Sequence, residues 1–200
     1  MRYLRFSLVA LSMVALSAIP SAAQSICDGT AGNLVLNCGF ETGDFTSWTL
    51  TGNTGFTDVI NSGSFVNSGT FGAELGPVGS DGFLSQVVGD GSTSYFVSFY
   101  LGLPADGTPN DFTVLWNGTD VGPFLVDANS FPYEQFSGIL GTTSAWNTLT
   151  FQYRNDPNDW ALDDVVVIGQ NPNTVPEPAT WSLLAGGLLA AAGFARRKRK

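Results

Sequence analysis

Apolar and polar positions along most of this chain alternate with a period of two, in short runs separated by Gly, Pro, Asn and Asp. The clearest run, Ser94–Leu103, sets Tyr95, Val97, Phe99 and Leu101 against Ser94, Phe96, Ser98 and Tyr100, a strand with apolar character on both faces. Asp111–Trp116 alternates Phe112, Val114 and Trp116 with Asp111, Thr113 and Leu115. It then meets Asn117-Gly118, the favoured pair of a type I′ hairpin turn, and returns through Thr119–Val121. Shorter runs predict strands at Asn33–Leu36, Trp48–Leu50, Gly55–Ile60, Phe71–Leu75 and Gly82–Val88. Others are expected at Phe124–Val126, Phe136–Leu140, Leu149–Arg154 and Leu162–Ile168. No amphipathic helix pattern interrupts them. Many short strands at regular spacing predict an all-β domain, an antiparallel β-sandwich.

Both ends depart from this pattern. Met1–Ala23 carries Arg2 and Arg5, an apolar stretch from Phe6 to Ile19, then Pro20 and Ser21-Ala22-Ala23, the layout of a signal peptide with its cleavage site. At the other end Val175-Pro176-Glu177-Pro178 precedes the uncharged run Ala179–Ala195 and the basic cluster Arg196, Arg197, Lys198, Arg199, Lys200. As a helix, Ala179–Ala195 spans about 26 Å, just short of a hydrocarbon core of ~30 Å. The cations would stay on the cytoplasmic side and leave everything before them outside. Pro176 and Pro178 keep the preceding segment extended and Glu177 accessible. The chain thus divides into a leader (1–23), a β-sandwich domain (24–170), a polar linker (171–174) and a tail (175–200) with a hydrophobic transmembrane helix.

The tail resembles the PEP-CTERM sorting signal of Gram-negative bacteria: the Val-Pro-Glu-Pro motif at 175–178, the short hydrophobic segment and the Arg-rich finish all match in order and spacing. The resemblance implies export by the Sec machinery and a transient stay in the inner membrane. It also implies processing by an exosortase, a membrane cysteine protease-transpeptidase, near the Pro-Glu-Pro. Such proteins end at the cell surface or in the extracellular, exopolysaccharide-rich biofilm matrix.

Charge narrows the function classes. Seven of the eight basic residues lie in the leader or tail, so Arg154 stands alone in the body, while all 17 acidic residues fall between Asp28 and Glu177. Such a surface repels nucleic acid, which needs Lys and Arg contacts. The absence of histidine removes the usual general base and any Ser-His-Asp triad. A body without lysine has no Schiff-base chemistry either. Two carboxylates would suffice for a glycosidase, but nothing singles out a pair, and the body is read as non-catalytic. Cys27 and Cys38, in an exported chain, read as a disulfide; free thiols are the alternative, which an oxidising compartment disfavours.

The body resembles the galactose-binding-like jelly roll of family 4/9-type carbohydrate-binding modules. Asn33-Leu34-Val35-Leu36-Asn37, Gly39-Phe40-Glu41-Thr42-Gly43 and Trp48 carry the likeness at the start. Leu84-Ser85-Gln86 and Tyr95–Phe99 carry it in the middle, and Trp160–Val165 at the end. The likeness implies carbohydrate binding and places Glu41 with Asp163 or Asp164 where such modules often hold a structural calcium. Strand alternation sends Asp163 and Asp164 to opposite faces, so one of them starts the core-facing row and needs a partner. With Arg154 alone in the body, that partner is a backbone N–H group, water or a divalent ion. Trp116, Tyr133, Trp146 and Tyr153 are the aromatic side chains available to stack on sugar rings, while Trp48 and Trp160 read as core. The leading expectation is an exported protein that binds carbohydrate, with the cell's own exopolysaccharide as the candidate ligand. The alternative is a structural or adhesive matrix protein without a discrete ligand site.

Overall fold

The computed structural model describes residues 24–142 and 144–170. The expected leader (1–23), linker (171–174) and sorting tail (175–200), with Val175–Pro178 and the basic cluster 196–200, lie outside the described residues. Among the described residues no helix is long and apolar enough to cross a membrane.

Period-two alternation gives each strand one apolar face, and two antiparallel sheets close over those faces. One sheet orders β1 (Thr49–Gly52), β4 (Gly82–Val88), β10 (Asn147–Asn155), β6 (Asn110–Trp116) and β7 (Thr119–Asp120), with β8 (Leu125–Val126) also pairing β6. The other orders β2 (Thr57–Ile60), β3 (Gly72–Leu75), β11 (Trp160–Gly169), β5 (Ser94–Leu103) and β9 (Phe131–Gly141). Leu84, Leu149, Phe151, Phe112 and Val114 of the first sheet meet Val97, Phe99, Leu101, Leu162 and Val167 of the second, all buried. Rings cross the interface: Phe99 meets Phe151 edge-on at 5.1 Å and Phe112 meets Trp160 at 5.5 Å. Each fully buried aromatic of this kind stabilises the sandwich by roughly 2–3 kcal/mol. Trp48 and Trp160 are core residues, and Asn117 and Gly118 both take the positive φ that a type I′ turn demands.

Three local expectations are corrected. Asn33–Leu36 is not a strand. The disulfide Cys27–Cys38, with Cα atoms 6.0 Å apart and both residues buried, folds this segment into turns. It lies along β11 through Leu34 N–H to Val167 C=O (2.8 Å) and Val165 N–H to Cys38 C=O (2.9 Å). The Asn33 side chain acts as an extra rung there, its Oδ1 accepting from Val167 N–H and its Nδ2 donating to Val165 C=O. Second, β9 starts at Phe131, five residues before the expected strand, because Pro132 is tolerated on an edge where no partner needs its N–H. Third, β11 carries a bulge between Asp163 and Val166, with Asp164 at φ 51°. The extra residue breaks the alternation there. Leu162, Val165 and Val167 keep the core, and neither aspartate begins a core-facing row.

Candidate functional site

The bulge turns Asp163 and Asp164 toward the β2–β3 connection. Asp163 Oδ2 accepts from the backbone N–H of Asn67 (2.8 Å) and Ser68 (3.2 Å), and its Oδ1 from Asp164 N–H (2.7 Å). Asp164 accepts from Cys27 N–H, Asn67 Nδ2 and Ser68 Oγ. Glu41 reaches the same connection two residues on, its Oε1 accepting from Thr70 N–H (2.8 Å) and Phe71 N–H (3.1 Å). Burial, and next the Asp164 carboxylate, pushes Asp163 up to about 8. The three carboxylates therefore grip one loop from three positions. Their ligand atoms do not gather within 4.8 Å of one another, as the only such acidic or thiol trio among the described residues is Cys27, Asp28 and Cys38. Both cysteines of that trio are in the disulfide, so it offers no thiolate. With most accepting oxygens already taken by N–H and O–H donors, Glu41, Asp163 and Asp164 do not fit a shared calcium ion in this geometry.

The four candidate stacking residues separate cleanly. Tyr153 is 0% exposed, its hydroxyl pushed up to about 12 by burial, and Trp116 is 5% exposed. Both fill the core, and neither can present a ring face to a sugar without opening the sandwich. They drop out as sugar contacts. Tyr133 is partly buried, and its hydroxyl donates to Phe65 C=O (2.8 Å), bracing the same β2–β3 connection. Trp146, just before β10, is 67% exposed. It stands on a groove of about 500 Å³ with Leu34, Leu36, Ser47, Thr49, Gln86 and Val87. Leu36 and Val87 are exposed as well. Gln86 holds Leu36 at the rim, its Oε1 accepting from Leu36 N–H (2.8 Å) and its Nε2 donating to Leu36 C=O (3.0 Å).

The groove continues onto the outer face of the six-stranded sheet. Residues directly opposite across antiparallel strands share a face. Thr49, Ser85, Thr150 and Leu115 therefore form one row across four strands, and Thr51, Phe83, Gln152 and Thr113 the next, with Val87 beside Thr148 nearest Trp146. Hydroxyls and one amide dominate. Arg154 lies beyond these rows and is bound to Asp156 at 2.6 Å. Sequence reasoning found Trp146 but missed its partners. A signal existed for Val87, an apolar residue on the outward face of Gly82–Val88, where Phe83 and Ser85 also point. None existed for Leu36, whose place depends on Gln86.

The family model described as the PEP-CTERM protein-sorting motif matches residues 174–200. Comparison with curated proteins gives no match. Among solved structures, the chain is similar to the carbohydrate-binding module TmCBM61, solved in complex with beta-1,4-galactotriose. Identity is 19% and the TM-score 0.55, covering 69% of this chain and 99% of that one. It is also similar to the CBM22-1–CBM22-2 tandem of Xyn10C from Paenibacillus barcinonensis, at 18% identity and a TM-score of 0.51, covering 74% of this chain and 49% of that one. At these identities the likeness establishes the fold. The chain carries a PEP-CTERM sorting motif, the mark of export and exosortase processing in Gram-negative bacteria, behind a β-sandwich whose fold is similar to that of TmCBM61.

Proposed function

We propose that the sandwich is a non-catalytic glycan-binding domain, delivered through the Sec route and the inner membrane to the cell surface or the exopolysaccharide matrix. One observation carries this reading: Trp146 stands exposed beside Leu36 and Val87 in a groove that opens onto rows of Thr, Ser and Gln side chains. An indole face takes the apolar face of a pyranose ring, and hydroxyl and amide groups at strand spacing take the ring hydroxyls. The ligand is a neutral polysaccharide. Within residues 24–170 only Arg154 could meet a uronate or sulfate, and Asp156 already holds it. The alternative, a structural or adhesive matrix protein without a ligand site, predicts association without saturable glycan binding.

Affinity electrophoresis of the processed protein through gels containing neutral polysaccharides tests the reading. Retardation should appear with at least one neutral glycan and weaken about tenfold in Trp146→Ala, a loss of roughly 1.4 kcal/mol of stacking. Since Trp146 is largely solvent-exposed, the variant keeps its core. No retardation by any polysaccharide, or equal retardation of the variant, counts against the site.

A further inference from the structure

Three of the four sheet edges end in strands of two to four residues, β1, β2 and the β7/β8 pair. The fourth is β9, eleven residues long and paired on one side only, with β5. Long unpaired edges template further strands unless Pro, charge or a covering segment blocks them. On β9 the guards, Pro132 and Glu134, sit in the first half. From Gln135 to Tyr153 the chain carries no charged residue, although residues 24–170 are strongly acidic. The ladder phase shows which groups are free. Thr142 N–H donates to Thr93 C=O, so alternate residues Leu140, Gly138 and Phe136 also turn their backbone toward β5. Gln135, Ser137, Ile139 and Gly141 consequently point their N–H and C=O groups outward.

We infer that β9 is a homotypic edge: two copies of this chain pair antiparallel through β9 about a twofold axis at Gly138, joining their five-stranded sheets. This register sets Ser137 opposite Ile139 of the second copy and Gln135 opposite Gly141, so all four outward residues exchange hydrogen bonds. Glu134 falls opposite Thr142, which keeps the two Glu134 carboxylates apart. Gly138 meets its own counterpart at the axis, where a Cβ would find nothing within 4 Å in the single chain. The inward Phe136 and Leu140 line a cleft of about 250 Å³ between the sheets at this edge, with Val97, Phe99 and Val114 behind them. In the pair, Phe136 of one copy faces Leu140 of the other across the cleft mouths. Charge selects a second copy as the occupant. A basic partner would be drawn to the acidic surfaces elsewhere, whereas this uncharged stretch lets two acidic chains approach without direct repulsion across the seam. The inference does not depend on the glycan reading.

Sedimentation velocity of the full-length chain in detergent, over a concentration series, tests the pairing. Wild type should show a reversible dimer. Ser137→Pro removes an outward N–H and leaves the β5 ladder intact. By symmetry it deletes two hydrogen bonds at once and should weaken the dimer about 30-fold with little change in melting. Gly138→Cys should form a disulfide-linked dimer spontaneously under oxidising conditions, because facing residues at a non-hydrogen-bonded pair lie within disulfide reach. Ser137→Cys should not. A monomer at every concentration overturns the inference. So does undiminished association of Ser137→Pro, the result expected if the hydrophobic tail drives assembly, and so does cross-linking of Ser137→Cys in preference to Gly138→Cys.

Discussion

Deleting the Cys27–Cys38 bridge should cost this fold a large fraction of its stability, and most of that cost arises in the unfolded chain. The cysteines are 11 residues apart. Closing a loop of that size removes unfolded-state entropy equivalent to about 3 kcal/mol at 25 °C. A smaller native-state contribution adds to it, because both residues are buried and trimming each to alanine leaves an unfilled space, about 1 kcal/mol in total. Cys27→Ala/Cys38→Ala in the processed protein should therefore lose roughly 4 kcal/mol in guanidinium unfolding, against the 5–15 kcal/mol typical of a domain. The m-value should rise, since the uncrosslinked chain exposes more surface on unfolding. The native contacts should persist, because Asn33, Leu34 and Cys38 hold β11 through backbone and amide groups that do not need sulfur. A loss under about 1 kcal/mol with an unchanged m-value refutes the loop-entropy account. Such a result would leave the bridge as a marker of compartment with no role in the fold.

Two further outcomes follow from the carboxylates. Burial, and next Glu74, raises Asp159 from 3.8 to about 6, and no hydrogen bond to its carboxylate is found among the described residues. The unfolded chain ionises first, so stability drains away as pH rises from about 4 to about 6 and stays reduced above that. Asp159→Asn should match wild type at pH 4 and exceed it by about 1 kcal/mol at neutral pH, after discounting for a half-exposed group. Urea unfolding at both values checks this, and an equal gap at both removes it. Calcium should leave the melting midpoint within about 1 °C of the chelator-treated protein, since the oxygens of Asp163 and Asp164 and Oε1 of Glu41 already have donors. A calcium-dependent rise of several degrees would show that the 67–71 backbone releases those oxygens to a common centre.

What could be read from the sequence and what could not divides along one physical line. Period-two patterning is local, so strands such as Ser94–Leu103, Asp111–Trp116 and Gly82–Val88 were legible almost to the residue, together with the Asn117-Gly118 turn and the two-sheet architecture that so many short strands require. The errors sit where a distant group decides. Nothing local in Asn33–Leu36 announces that a disulfide and the Asn33 amide will replace a ladder, and nothing in Trp160–Gly169 announces a bulge. That single inserted residue reversed the inference about Asp163 and Asp164: two carboxylates assigned to opposite faces were turned to one loop. Two of the aromatic candidates, Trp116 and Tyr153, fail for a related reason. Tyr153 and Trp146 are both aromatic and lie close together in the sequence. Alternation puts Tyr153 in the inward row with Leu149 and Phe151, which does exclude it from a sugar platform, whereas Trp146 precedes β10 and belongs to no row. A stacking residue must lie off the inward phase of its strand or outside a strand altogether. By that condition the alternation alone excludes Trp116 and Tyr153 and retains Trp146.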